Sequence, residues 1–544
     1  MTNDANDVEY RLAQALEIAQ VVTDDAAAGL AKRLDLSGYD SDALLLLCYN
    51  PNPYPTREIL KVNVMTPAAN AVWSFTASDT DGTPLDVQEI ARDEKAYPVH
   101  DTQARPWPYK TYRHLCYLDS GTLPALGYKV LTLTPAQKFE AERFYWLPMR
   151  RVQPNNILAG TNILENEHLR AEFHPNGSLC LMHKATGHQY DNLHYLEDSG
   201  DVGNYWAYHP PYHNQIHTSL GNSARIWAED NGPLSATIAV EYTMKLPATA
   251  EEPAYGVRGH SKRSEATKEL LAVSRFTLTR DSHRLEVHTT VWNTLENHRL
   301  RIAFPTGIQT DFSDAAGHFT VDRRPKVNQP AADGSYWPEM QTLPMQTFVD
   351  INDGTRGLAL LHDCLTEYEL ANDQSATLYL TLFRAMGNMI VTWWEAVGRF
   401  SDQDGSQLQR KMEYHYALYP HEGDWQSGNV FREAQVVNAK PAAWQLLGGG
   451  AGDLPLSASF CHITNPQVIL SAVKQSEDKN SLILRIYNPT AERQTTKVTF
   501  GFAIRSAWLC NLNENHEEQL PVADCGKSIT LDVPAGKIIT TELR

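Results

Sequence analysis

Residues 237–246 alternate without interruption. Ile238, Val240, Tyr242, Met244 and Leu246 fall on one side of an extended backbone, and Thr237, Ala239, Glu241, Thr243 and Lys245 fall on the other. A side-chain period of two does not fit the 3.6-residue turn of a helix, so this stretch reads as a strand with one face against a core. Leu285, Val287, Thr289 and Val291 repeat the alternation, as do Leu378, Leu380 and Leu382. Strands this long and regular suit large antiparallel sheets packed face to face. Asn176-Gly177, between two short apolar runs, signals a tight hairpin in the same region.

The rest of the chain divides around that block. Residues 8–34 form the one strong helical pattern, with Leu12, Leu16, Ala19, Val22, Ala26, Leu30 and Leu34 at three- and four-residue steps. One amphipathic helix cannot hide its stripe alone, and no second helix is obvious nearby. Leu44 to Cys48 is a short buried strand ending in the stiff corner N-P-N-P-Y-P. A first β-sandwich follows and leads out through F-Y-W-L-P-M-R-R at residues 144–151. Residues 247–267 are polar and read as a surface excursion. Gly448-Gly449-Gly450-Ala451-Gly452 reads as a flexible joint, since no helix follows to make it a phosphate loop. The expected units are a helix from a helical-bundle region (1–38), a small β-sandwich (39–152), a large β-sandwich (153–447) and a C-terminal β-sandwich (457–544).

Charge narrows the partners. Lys and Arg number 47 against 65 Asp and Glu, a net −18, which argues against nucleic acid or an acidic membrane surface. The N-terminus shows no signal-peptide pattern, and the longest apolar run, residues 43–48, is too short to cross a bilayer. Seven scattered cysteines without a CxxC pair suit reduced thiols and a cytoplasmic location.

Chemistry concentrates in residues 197–211, E-D-S-G-D-V-G-N-Y-W-A-Y-H-P-P. Aromatic faces beside carboxylates suit sugars, whose C–H groups lie on the ring while acids accept hydroxyl protons. A turn-rich corner of a β-domain, with Tyr and Trp packed on the sheet, accounts for the same residues. Glycosidases need two carboxylates; Asp198, Asp201 and Glu395 are candidates, but their spacing does not show that any two converge. G-x-S-x-G and H-E-x-x-H are absent, and Pro210-Pro211 prevents the helix that would align His209 and His213 on a metal.

Several blocks together resemble one family, the α-mannosidases of glycoside hydrolase family 38, in their bacterial mannosylglycerate-hydrolase-like branch. N-I-L-E-N-E-H-L-R-A-E-F-H-P-N-G-S-L (162–179) and H-K-A-T-G (183–187) resemble the opening of its large sandwich, and E-D-S-G-D-V-G-N-Y-W its next block. W-N-T-L-E-N-H-R-L-R-I-A-F-P-T-G (292–307), P-M-Q-T-F-V-D (344–350), L-T-L-F-R-A-M-G (380–387), H-E-G-D-W (421–425) and L-I-L-R-I-Y-N-P-T (482–490) follow in family order. Residues 3–16 resemble the helix that follows the family's His-Asp motif.

The resemblance implies a mainly β fold, an N-terminal helix followed by sandwiches, the largest a galactose-mutarotase-like supersandwich. It implies that the chain is similar to the family from the last bundle helix onward, without the N-terminal β/α barrel. The barrel carries the nucleophile, the acid/base and most of the zinc ligands, so no catalytic or metal residue is expected here and no zinc bound by this chain alone. The substrate-binding carry-over is Tyr205, which lines the mannose pocket, with Asp201 and Arg324 (beside Arg323) at the same cleft. The implied function is the C-terminal β portion of a retaining, zinc-dependent α-mannosidase in mannose metabolism, inactive alone; the barrel is expected either on a separate chain, as in a split gene, or in sequence left out by a mis-started reading frame or a truncation. The rival expectations are a carbohydrate-binding or scaffold protein, and an independent enzyme using Asp198, Asp201 or Glu395.

Overall fold

The computed structural model describes residues 2–99, 107–136, 156–205, 208–251, 260–326, 341–391, 396–399, 404–477 and 481–544. Residues 144–151, Trp206, Glu395 and 252–259 of the polar excursion lie outside them.

The expected mainly β fold is observed. Nine antiparallel strands form one sheet, in spatial order Arg225–Asp230, Ser235–Pro247, Thr267–Thr279, Leu285–Trp292, Lys411–Glu422, Arg356–His362, Phe348–Asn352, Phe312–Ala316 and Val321–Pro325. Six strands form its partner: His217–Thr218, Tyr195–Gly200, His298–Pro305, Thr377–Ala385, Glu367–Leu370 and Leu343–Pro344. Ile238, Val240, Tyr242, Met244 and Leu246 are buried as the alternation requires, and they share one core with Leu196, Leu300, Ile302, Leu378 and Leu380 of the six-stranded sheet. The Asn176-Gly177 hairpin joins Leu169–Phe173 to Leu179–His183, with Gly177 at φ +88°, a conformation that glycine adopts freely. The opposite face of Ser235–Pro247 departs from a simple polar alternation, because its first residues are covered too. Gln88 of the first sandwich accepts from the Leu234 and Ser235 amides at 2.8 and 3.0 Å and donates to the Ser235 carbonyl at 2.9 Å.

The first sandwich sets Leu44–Asn50 between Gly127–Ala136 and Ala442–Leu447, against a three-stranded sheet of Ile59–Pro67, Trp107–Asp119 and Val87–Val99. Ala442–Leu447 therefore completes a sheet begun almost four hundred residues earlier, and Ser457–Ser459 pairs there as well. The glycine run between these strands is not a flexible joint. Leu36 donates to the Gly450 carbonyl at 2.7 Å and Leu454 to the Arg33 carbonyl at 2.8 Å. A Cβ on Gly448 would lie 2.1 Å from the Asp40 carbonyl oxygen, and one on Gly452 2.1 Å from that of Arg33. Gly448 and Gly452 are there because two backbones pass at contact distance, a packing reason rather than a need for mobility.

The helix α1 (Thr2–Ala31) is longer than the periodicity suggested and mostly solvated. Leu12, Leu16 and Val22 of its stripe are more than half exposed, while Ala27 is buried and Leu30 and Ala31 at its C-terminal end reach the first sandwich. Glu9 pairs with Arg410, and Trp444 Nε1 donates to Asp24 at 2.9 Å. The other α-helix among the described residues, α2 (Val430–Asn438), packs Val430, Phe431 and Ala434 against Phe348, Ala359 and Leu361 of the nine-stranded sheet. The C-terminal sandwich closes its own core around Ile463, Leu484, Ile486, Val498, Ile529 and Leu531. None of the seven cysteines forms a disulfide, and no described helix is long and apolar enough to cross a membrane.

Candidate functional site

Residues 195–200 form the strand next to one edge of the six-stranded sheet, paired with His298–Pro305 in the register Glu197↔Arg301, Asp198↔Leu300 and Ser199↔Arg299. Register divides its acids between two faces. Asp198 points with Leu196 toward the core, where it accepts from Arg263 Nη2 at 2.6 Å and from His298 Nδ1 at 2.6 Å. Asn293 Oδ1 lies 3.0 Å from His298 Nε2 and extends the chain. All of these side chains are buried. Glu197, on the other face, meets Arg301 at 2.5 Å, and Arg301 also meets Glu369 at 2.5 Å.

Past the strand the chain turns at Asp201. Its amide donates to the Asn297 carbonyl at 2.9 Å, and its Oδ1 accepts from the Gly203 amide at 2.9 Å. Arg384, from the neighbouring strand Thr377–Ala385, grips the carboxylate with Nε at 2.7 Å and Nη2 at 3.2 Å. The same Nη2 donates to the Asn204 carbonyl at 2.9 Å. A charged, bidentate clamp of this kind fixes a turn well. What it holds out is Tyr205, 43% exposed on the loop tip. Tyr208 folds back, with its hydroxyl donating to Ser199 Oγ at 3.1 Å and its ring 3.5 Å from the Arg299 guanidinium.

Tyr205 and Asp201 are thus brought together, the first as an exposed aromatic face and the second as its buried anchor. Arg324 is placed elsewhere, on the edge strand Val321–Pro325 of the nine-stranded sheet. It donates to the Pro344 carbonyl and to Asp322 at 2.7 Å, so it bridges to the outer edge of the six-stranded sheet. Arg323 is committed to Asp314, through two bonds of 2.8 Å. Asp198 and Asp201 are each sealed from solvent and neutralised by arginine, which suits structure and not proton transfer to a ligand. Glu395 lies outside the described residues. Sequence reasoning passed over Arg384 and Arg299; the H-R-L-R and F-R-A-M-G blocks carried both, but nothing local tells a paired arginine from an unpaired one.

Asp198→Asn provides a test of this assignment. It leaves the buried Arg263 guanidinium without its counter-charge, and we expect a loss of roughly 2–3 kcal/mol of stability in urea unfolding. Ligand affinity of the folded fraction should not change; a variant with full stability and lost binding would contradict the structural role.

Among the described residues, one group of three has metal-ligating atoms close together: Cys510, His516 and Glu542 in the C-terminal sandwich. It does not fit a zinc site. Glu542 is already taken by His516 Nε2 at 2.5 Å and by Arg544 Nε at 2.8 Å, and a guanidinium beside the carboxylate opposes a second cation.

Comparison with known proteins follows the same outline. A Halalkalibacterium halodurans protein named "Putative mannosylglycerate hydrolase" is 28% identical over 339 residues, 61% of this chain and 36% of its own length. Human alpha-mannosidase 2C1 is 27% identical over 233 residues, 42% of this chain and 20% of the human protein. The chain therefore spans about a third or less of these relatives. The structure of an alpha-mannosidase from Enterococcus faecalis V583 shares the fold, with a TM-score of 0.81 at 21% identity over 98% of this chain and 59% of that one. Residues 164–388 match the C-terminal domain of the family 38 glycosyl hydrolases, and residues 467–541 match that family's C-terminal beta sandwich domain. Through these two domains the chain belongs to glycosyl hydrolase family 38.

Proposed function

We propose that this chain is the C-terminal β portion of an α-mannosidase and forms one wall of its sugar pocket. The observation that carries the reading is Tyr205, an exposed aromatic ring on a turn anchored by the buried Asp201–Arg384 pair. Stacking on a sugar's C–H face needs such a ring held at a fixed angle. Arg324, held at the opposite edge of the six-stranded sheet, is not part of this wall. The relatives' names support an α-mannoside as ligand.

Hydrolysis with retention, and the zinc it depends on, belong to a β/α barrel in this reading, and no residue of this chain is assigned to either. That barrel is supplied by further sequence or by a separate chain, and the exposed α1 stripe of Leu12, Leu16 and Val22 is where its helical bundle would dock. The purified chain should not turn over an aryl α-mannoside with or without zinc; turnover that a chelator abolishes would overturn this. Calorimetry with mannose and mannobiose tests the pocket wall. Tyr205→Ala should weaken binding about tenfold, the equivalent of about 1.4 kcal/mol, with a stability change within about 0.5 kcal/mol. Tight binding by the chain alone, lost in this variant, would favour the alternative of a carbohydrate-binding protein built on the mannosidase sandwich.

A further inference from the structure

The stiff corner N-P-N-P-Y-P at residues 50–55 has no part in the sugar site, and it walls a cavity of about 600 Å³. Three units meet there. Pro51 and Pro53 of the corner form one side, and the end of α2, with Gln435 and Asn438, forms a second. The third is the open side of the C-terminal sandwich, between the edge strand Cys461–Ile463 of its three-stranded sheet and the edge strand Ile469–Gln475 of its five-stranded sheet. Leu482, Leu484 and Phe500 of that sandwich's core are reached through the gap. Val473 and Phe502, 45% and 36% exposed, stand at the mouth. The walls are tied to one another across the unit boundaries. The Phe460 amide donates to the Leu126 carbonyl and the Ile463 amide to the Pro53 carbonyl, each at 2.9 Å, and Asn52 Nδ2 donates to the Ala439 carbonyl at 2.9 Å. The prolines fix the backbone angles of the corner. The cavity is therefore built in advance, and the units are not free to slide together and close it.

Its chemistry is selective. None of the described residues that line it is acidic, basic or a histidine, in a chain that is 21% charged. Asn438 Nδ2 is spent on the His362 and Ala434 carbonyls, at 3.0 and 2.8 Å, so its oxygen is left to accept. Phe500 and Phe502 hold their rings 5.7 Å apart in the wall. Apolar walls left open in this way forgo burial that a fitting molecule restores. The volume is that of an ordinary small-molecule site, and such sites favour the boundaries between units. A charged ligand would give up its hydration and meet no counter-charge, and a bare sugar would leave most of its hydroxyls unpaired. We infer that the cavity binds a neutral aromatic molecule, with its rings against Phe500 and Phe502. None of the described lining residues comes from the two large sheets, so this site is independent of the sugar contact at Tyr205.

The test is fluorescence titration of the full chain with phenylnaphthylamine, a neutral dye, and with anilinonaphthalenesulfonate, which has the same rings and a negative charge. The neutral dye should saturate one site per chain and bind about tenfold more tightly than the sulfonate, a comparison that needs no variant. Phe502→Ala removes part of the wall and Val473→Glu sets a charge in the mouth; each should weaken the neutral dye about tenfold. Both positions are partly exposed, so folding is kept, and an unchanged urea midpoint checks it. Methyl α-mannoside should not displace the dye. Equal affinity for the two dyes, displacement by methyl α-mannoside, or binding unchanged in both variants, as expected of dye held on the exposed α1 stripe, would overturn the site. Decanol binding where the aromatic dye does not would overturn the aromatic assignment.

Discussion

Arg284→Met should cost about 3–5 kcal/mol at pH 8, one of the two largest effects expected in this chain. Arg284 is buried where three units meet. It binds Glu58 of the first sandwich at 2.7 Å, Glu433 of α2 at 3.0 Å and Glu286, on the strand that begins just after it, at 3.2 Å. Lys440 holds the far oxygen of Glu286 at 2.7 Å. Burial pushes Glu286 upward, but Lys440 and Arg284 outweigh it and hold its carboxyl at about 2. Without the guanidinium, three carboxylates face one another with Lys440 as their remaining cation. Folding then favours protonated carboxyls, whose folded-state pKa values lie above the unfolded ones. The deficit relative to wild type should therefore shrink as pH falls from 8 to 5. Urea unfolding of both proteins at the two pH values measures this; a deficit independent of pH, or below 1 kcal/mol, would contradict the clamp. As the molecule has several cores, the first transition is the one to follow.

Acid should unfold the large sandwich through His194. This side chain is fully buried, with Nδ1 3.2 Å from the Tyr242 hydroxyl and Nε2 2.6 Å from that of Tyr416. Tyr242 donates its own proton to the Gly177 carbonyl at 2.8 Å, so its oxygen accepts from Nδ1–H and the Nε2 lone pair accepts from Tyr416. The network wants a neutral imidazole, and burial lowers its pKa from 6.5 to about 3. The unfolded chain then binds a proton that the folded chain refuses. Stability from this group is complete above pH 6.5 and is lost as pH falls toward 3, at about 1.4 kcal/mol per unit. Summed over that window the loss is of order 5 kcal/mol. His362, also buried, with both ring nitrogens without a hydrogen-bond partner among the described residues and a pKa lowered to about 4, adds to the same slope. His421 works in the opposite sense. Burial would lower its pKa, but Asp350 at 2.8 Å raises it, so its contribution is full at low pH and fades as pH rises past its folded value. Replacing His194 by Phe should lower stability at pH 7 yet flatten the decline between pH 6.5 and 4. An unchanged slope in chemical unfolding across that range would show that the imidazole is not the group responsible.

Much of the architecture was legible residue by residue. The alternation at 238–246 determined a strand and named its buried face, because the pleat turns a local period into a side. Asn176-Gly177 determined a hairpin, because few residue pairs close so tight a turn. The blocks around 162–187 and 292–307 determined the family, and the turn bearing Tyr205 was recognisable within it. The partnerships were not legible. Nothing in Ala442–Leu447 says that it pairs with Leu44, and nothing in five residues of glycine and alanine separates a loose joint from two backbones in contact. Asp198 and Asp201 looked alike until the strand put one in the core beside Arg263 and tied the other to Arg384. Arg299 and Arg301 stand two apart in one motif. Only register gives Arg301 two carboxylates and Arg299 a serine and a tyrosine ring. Sequence determines what a residue and its near neighbours can do, since backbone period and turn chemistry are local. Which charges meet is decided by pairing strands a hundred residues apart, and that energy exists only in the folded molecule.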